Sequence, residues 1–259
     1  MRSLLLALAI VPLCALPARA EGLRDFCADR PGKATPPCIL DVGHLQIETG
    51  LADAVFRRSA GIHDTTYTLG ASELRLGLTP RLEAEAAWAP LIVDHDRALG
   101  HRSGSGDLTL GLRGALIAPK GDGPAVSFQG FVTAPTATHG LGAGGWTGGV
   151  RLPAQIPLGP VSLGLTPEAD VVRNASGRGT HAAWVGVASL SHGFGKLTLG
   201  AEAWGQVDDD PSHVTHQASG DLTAALAVGA NAQLDAGVNV GLTRETPELE
   251  VYFGVARRF

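Results

Sequence analysis

From Leu45 to the last residue, apolar side chains recur at every second position in one run after another. Leu45, Ile47, Thr49 and Leu51 open the series, against Gln46, Glu48 and Gly50. Period two means a strand with one apolar face and one polar or small face. Asp53 breaks the phase, so a bulge or strand end is expected there. Thr65 to Leu78 follows, with Tyr67, Leu69 and Ala71 in one phase and Leu74, Leu76 and Leu78 in the other, implying a bulge near Ser72-Glu73. Thr79-Pro80 turns the chain, and Leu82, Ala84, Ala86 and Trp88 return. Leu108, Leu110, Leu112 and Leu116 then alternate with Asp107, Thr109, Gly111, Arg113 and Ala115, the clearest strand in the chain. Val126–Val132, Trp146–Ile156, Val161–Val171, 182–191, Leu197–Ala203, Leu222–Val228, Leu234–Leu242 and Leu249–Phe259 complete the set. About twelve strands result.

Their connections alternate long and short. Thr79-Pro80, 118–124, Gly159, Ser191–Gly195 and 229–231 are tight. Ser59–Asp64, Ala89–Ser105, 134–144, 174–181, 206–217 and 243–248 are longer and polar. Long loops at one end, tight turns at the other and an even strand count point to an all-β transmembrane antiparallel up-and-down barrel over residues 44–259. Strands of ~9–11 residues suffice to cross a bilayer. Pro153, Pro157 and Pro167 fall within neighbouring strands, where each removes a ladder bond and favours a bulge or bend.

Composition agrees. Only 17% of the 259 residues are charged, 44% are hydrophobic, and the net charge is −5. Mean hydropathy of +0.13 is too low for a bundle of membrane helices. Nucleic-acid binding, which needs basic patches, is excluded. Arg2, the apolar run Leu4–Leu16 and Ala18-Arg19-Ala20 read as a signal peptide over 1–20. Cys14 lies within that run after Leu13, which is not the small residue a lipidation site needs. The exported pair Cys27 and Cys38 is expected to form a disulfide in an oxidising compartment. Residues 21–43 do not alternate and carry Pro31, Pro36 and Pro37. They form a stapled periplasmic lead-in or plug.

Several stretches are similar to the outer-membrane transporter family associated with the meta-pathway of phenol degradation. The likeness rests on Ser105-Gly106-Asp107-Leu108-Thr109-Leu110-Gly111-Leu112-Arg113, Leu74-Arg75-Leu76-Gly77-Leu78 and Leu234-Asp235-Ala236-Gly237. The ending Phe253-Gly254-Val255-Ala256-Arg257-Arg258-Phe259 and the span Cys27–Cys38 also fit. This resemblance implies an outer-membrane barrel handling small, aromatic or apolar compounds. It carries over no defined binding residues.

The inner phase supplies the chemistry. Arg75, Glu83, Glu85, Asp107, Arg113, Gln129, Glu168, Asp170, Lys196, Glu202, Asp221, Asp235 and Arg258 are expected to line the lumen, with Arg75 paired to Glu85 across the Thr79-Pro80 hairpin. Such groups either fill the lumen as a paired network or give a pore an acidic preference for cations and neutral solutes. Twelve strands lie between filled and open barrels. Inner glycines at 77, 111, 164, 200, 237 and 254 leave a narrow lumen. Phe253, Gly254 and Phe259 resemble the terminal signal read by the barrel-assembly machinery.

His63, His95, His101, His139, His181, His213 and His216 gather at the long-loop end beside aspartates, without the fixed spacing of a metal site. No metal or cofactor is expected. Ser189, Ser191 and His192 are the nearest approach to a lipid hydrolase and lack an orienting partner, so no enzyme activity is expected. The function so read is a monomeric outer-membrane channel for small solutes, its partners being the lipid bilayer and the assembly machinery. A structural or adhesive barrel is the alternative.

Overall fold

The computed structural model describes residues 22–59, 62–96, 100–119 and 123–259. Residues 1–20, expected to be a signal peptide, and Cys14 within them lie outside the described residues.

Sixteen strand segments build the wall. They are β1 (Leu45–Ser59), β2 (Ile62–Leu69), β3 (Ala71–Thr79), β4 (Leu82–Trp88), β5 (Leu91–Asp96), β6 (Gly100–Gly104), β7 (Leu108–Ile117) and β8 (Ala125–Ala134). They continue as β9 (Thr147–Arg151), β10 (Ala154–Leu158), β11 (Val161–Arg173), β12 (Thr180–Phe194), β13 (Leu197–Asp210), β14 (His213–Ala227), β15 (Ala232–Gly241) and β16 (Leu249–Arg258). Four pairs are single staves with a break. β1 pairs with β3 over its first half and β2 over its second, so β2 and β3 form one stave. The same holds for β4 with β5, β6 with β7, and β9 with β10. The sixteen segments therefore make twelve staves in one antiparallel sheet. β16 pairs back onto β1 from Gln46↔Arg258 to Phe56↔Leu249, closing it. Closure pairs the staves on both sides along the lower barrel, while β6 keeps β5 as its single partner strand above it.

The breaks sit where the phase changes. On β1 the register shifts between Gly50 and Ala52, just ahead of Asp53. The second stave breaks at Gly70, whose φ of 71° an L side chain rarely adopts, rather than at Ser72-Glu73. The β9–β10 break falls at Leu152-Pro153, where the ladder is carried by Leu152 N–H to Pro167 O and Ser127 N–H to Pro153 O.

The polarity of the fold is inverted. Leu74, Leu112, Phe128, Leu190, Leu222, Val251 and Phe253 face outward and exposed, while Arg75, Arg113 and Glu83 are 0% exposed. Among the described residues the buried hydrophobic side chains are only Ile39, Leu40, Ala183, Val187 and Ala256. An apolar exterior around a charged interior is the arrangement of a barrel in lipid.

The long loops of the sequence reading are shorter in the structure. Ala89–Ser105 contains β5 and β6, and β5 extends the ladder of β2. The 206–217 loop is the top of a continuous β13–β14 hairpin, ladder-paired to Asp210↔His213. Beyond the apolar band both strand faces are wet, so the ladder continues after the alternation has stopped. The tight turns and the two ends of the barrel strands lie at one rim, here the terminal rim: Leu45 and Phe259 exchange backbone hydrogen bonds there at 3.3 and 2.7 Å.

Candidate functional site: the lumen and the segment within it

Residues 22–44 form no regular strand until Leu45, and side chains from nearly all round the wall hold them. Prolines at 31, 36 and 37 deny this stretch a ladder, so its backbone groups are met by inward side chains instead. Cys27 and Cys38 are disulfide-bonded across it, with Cα atoms 6.6 Å apart.

On the β1–β8 side the grip is ionic. Arg75 binds Glu83 at 2.8 Å, Glu48 at 3.1 Å and Asp29 at 3.0 Å, and donates to the carbonyls of Cys27 (3.1 Å) and Cys38 (3.2 Å). Arg113 grips the Asp29 carboxylate through both terminal nitrogens, Glu85 at 2.8 Å and the Pro36 carbonyl at 3.2 Å. Gln129 donates to Glu85, and Leu40 N–H to Glu83 at 2.7 Å. Glu48 accepts from the backbone of Asp29 and Arg30, each at 3.0 Å. Burial pushes the Asp29 carboxyl up, but Arg113 and Arg75 outweigh it and hold it at about 2.

The Arg75–Glu85 pairing expected from the hairpin is corrected in one respect. The two residues are register partners, yet Arg75 bonds the diagonal Glu83, and Arg113, register partner of Glu83, takes the diagonal Glu85 at 2.8 Å. Diagonal neighbours across a twisted ladder lie within reach of long side chains.

On the opposite side the grip is mixed. Glu202 accepts from the backbone N–H groups of Lys33 (2.7 Å) and Ala34 (3.4 Å). Arg30 meets Asp235 at 3.0 Å, and Gln233 donates to the Arg30 carbonyl at 3.0 Å. Lys33 reaches Ser219 at 2.9 Å and Asp221 at 3.5 Å, with its ammonium 4.7 Å from the Trp204 ring centroid. Arg151 bonds Glu168 at 2.7 Å and Thr35 at 3.2 Å. At the terminal rim Arg258 donates to the Arg24 carbonyl at 2.8 Å and to Asn231 at 2.7 Å, and faces Asp41 at 3.4 Å. Inner glycines admit the segment closely: a Cβ at Gly77 would overlap the Asp41 carbonyl oxygen, and one at Gly254 would meet the Arg30 guanidinium at 2.5 Å.

Three expected lumen residues stand elsewhere or apart. Lys196 is exposed in the β12–β13 turn, because the strand ends at Phe194 and Gly195 turns the chain (φ 66°). Asp107 lies between β6 and β7 and accepts from Ala137 and Ala143 N–H, each at 2.8 Å, tying down the 135–146 loop. Asp170 is on the inner face of β11 and lies against Gly149, beside Glu168 and Arg151. Phe253 and Phe259 face outward, 52% and 57% exposed. The sequence reading missed Asp29, Arg30 and Lys33, which sit in a stretch with no period to mark a face.

Four cavities border the segment, one of them beside Arg30, Glu48, Glu73 and Asp107; the other three bear on its role. One of ≈ 290 Å³ at the far end is lined by Lys33, Arg57, Trp204, Gln217, Asn239 and Glu250. A crevice of ≈ 260 Å³ runs between the segment and small wall residues including Gly164, Ser189, Gly200 and Thr223. A third, of ≈ 670 Å³, opens at the terminal rim among Arg24, Phe26, Leu40, Pro80 and Arg258.

Two of the loop-end histidines meet each other, His95 and His101 at 3.1 Å, and His181 meets Asp208 at 2.5 Å and Asn174 at 2.8 Å. Among the described residues the group close enough to share an ion is carboxylic, Asp29, Glu73 and Glu85, with oxygens within 4.8 Å. Arg75 and Arg113 already sit against it. Ser189 and Ser191 point inward, whereas His192 lies on the outward phase against Phe194 (centroids 4.4 Å apart) and the Pro160 carbonyl, so the three do not converge.

A family model described as "Putative MetA-pathway of phenol degradation" matches residues 28–259, which takes in both the gripped segment and the whole barrel. The chain belongs to this family. The phenol-degradation family assignment agrees with the likeness seen in the motifs above. Among solved structures the chain is similar to the COG4313 outer membrane channel from Pseudomonas putida F1. That match has 17% identity and a TM-score of 0.72, covering 89% of this chain and 99% of that one. It is also similar to the NanC porin, at 8% identity and a TM-score of 0.51, covering 82% and 98%. At these identities the likeness establishes the fold, an outer-membrane barrel. Comparison with curated proteins finds no match.

Proposed function

We propose that this protein is a monomeric outer-membrane channel for small aromatic or apolar compounds, with its terminal rim in the periplasm and residues 22–44 as a plug. The observation that carries the reading is the gripped segment itself, set between a cavity at each end and flanked by a crevice of small side chains. A wall built only for adhesion has no need of a charged interior aimed at one peptide. An ion-paired interior costs desolvation that packing alone would avoid. The crevice is narrow, which favours compact solutes over sugars. Insertion by the barrel-assembly machinery, reading Phe253 to Phe259, completes the picture.

Liposome swelling with the refolded full-length barrel tests it. Benzyl alcohol and phenol should enter faster than into protein-free liposomes, and sucrose should not. Rates equal to those of protein-free liposomes for every solute would favour a structural or adhesive barrel instead.

A further inference from the structure

One level of the wall carries a row of acceptors that the segment does not use up. Register places Glu202, Asp221, Asn239 and Glu250 side by side on β13, β14, β15 and β16. Glu202 is spent on the backbone of Lys33 and Ala34. Asp221 is 3% exposed; apart from the Ser219 hydroxyl and the Lys33 ammonium, 3.5 Å from one oxygen, its carboxylate has no donor among the described residues. Asn239 is 4% exposed; its amide donates to Glu250 at 2.7 Å, and its own oxygen accepts nothing there. Asp53, next to Tyr252 in the ladder, also keeps an oxygen unmatched. Buried acceptors without donors are costly, and a carboxylate more so than an amide.

The donor nearest this row comes from the lumen segment. The Lys33 ammonium lies over Trp204, touches Ser219 and stands 3.5 Å from Asp221. A primary ammonium on a four-carbon stem thus rests against an indole face and a buried carboxylate. Those are the two features that recognise an organic cation. Asp53, Glu202, Asp221 and Glu250 outnumber the cations Arg30, Lys33 and Arg57 around this level. The cavity beside them, ≈ 290 Å³, is at the small end for a ligand site and opens toward the far rim.

We propose that this row binds small organic ammonium ions, above all aromatic amines, whose ammonium displaces that of Lys33 from Trp204, Ser219 and Asp221. Lys33 is then a tethered competitor for its own site. An ammonium offers three donors and no acceptor, matching oxygens whose own donors are few or distant. The proposal deepens the channel reading by naming a solute class at the far mouth of the lumen.

Calorimetry on the full-length barrel folded in detergent tests it, with benzylammonium chloride as probe and sodium benzoate and benzyl alcohol as ring-matched controls. Wild type should bind benzylammonium more tightly than either control. Lys33→Met should bind it about tenfold tighter, because the resident cation is gone. Asp221→Asn should lose about thirtyfold, the lower end of the loss expected when one partner of a buried charge contact is removed. Heat-modifiable mobility confirms that each variant is folded. Benzoate binding as tightly as benzylammonium, or a Lys33→Met variant that binds no tighter, overturns the proposal. Benzylammonium bound without solute entry in the swelling assay sinks the channel and spares the site. Solute entry without benzylammonium binding does the reverse.

Discussion

Replacing Asp29 by alanine should loosen the lumen segment while leaving the barrel standing. Asp29 belongs to the segment and holds the wall through Arg113, at 2.9 Å and a second contact, and through Arg75 at 3.0 Å. Removing one partner of a buried ion pair costs roughly 3–5 kcal/mol. The lower figure applies here, because Arg113 keeps Glu85 at 2.8 Å and Arg75 keeps Glu83 at 2.8 Å. At about 1.4 kcal/mol per factor of ten, the undocking equilibrium should rise about 100-fold. Trypsin reads it, since Lys33 is held inside the wall by Ser219 and its backbone by Glu202. Where opening is fast relative to cleavage, the rate follows the open population. Cleavage after Lys33 should therefore quicken about 100-fold, with heat-modifiable mobility unchanged. A rate within about threefold of wild type would refute the assigned role of the Asp29 contacts. The acid branch has a definite sign. With its pKa held at about 2, below the ordinary 3.8, Asp29 contributes fully above about pH 4 and loses its contribution as pH falls through about 2. The difference between wild type and Asp29→Asn should close over that same window.

Three further outcomes follow from the same contacts. Cys27→Ser with Cys38→Ser should speed trypsin cleavage without unfolding the wall, since closing so short a loop is worth about 3 kcal/mol or less to the segment alone. Equal cleavage rates with and without the disulfide would contradict that. Gly254→Val places side-chain carbon where the Arg30 guanidinium and the Thr49 carbonyl oxygen lie, so it should lower the yield of folded barrel and expose Lys33. Wild-type behaviour on both counts would show that the close approach is dispensable. Deleting Phe259 removes its backbone pair with Leu45 and its ring from beneath Arg257 (5.0 Å). It should reduce insertion into the outer membrane more than refolding in detergent, as compared by heat-modifiable mobility from each source.

The barrel was legible because alternation is the one pattern that a lipid-facing strand cannot hide. Leu108 to Leu116 reads as a stave from its own residues. What lay beyond the apolar band did not, since Asp208-Asp209-Asp210 looks like a loop wherever both faces are wet. The wall side of the lumen was half visible. Arg75, Glu83 and Arg113 fall on the inner phase by counting, but which carboxylate each arginine takes depends on the sheet twist, and Lys196 is one step too close to its turn. The segment side was not legible. Nothing local to Asp29, Arg30 or Lys33 says which wall residue each will meet, because those contacts span up to 205 positions of sequence.

The central claim is that the segment narrows the lumen to a crevice. Single-channel conductance in planar bilayers, comparing the full barrel with one lacking residues 22–40, tests this most directly. Small conductance steps are expected of the full barrel and clear, larger ones of the shortened barrel. Equal conductance from two folded barrels would contradict it.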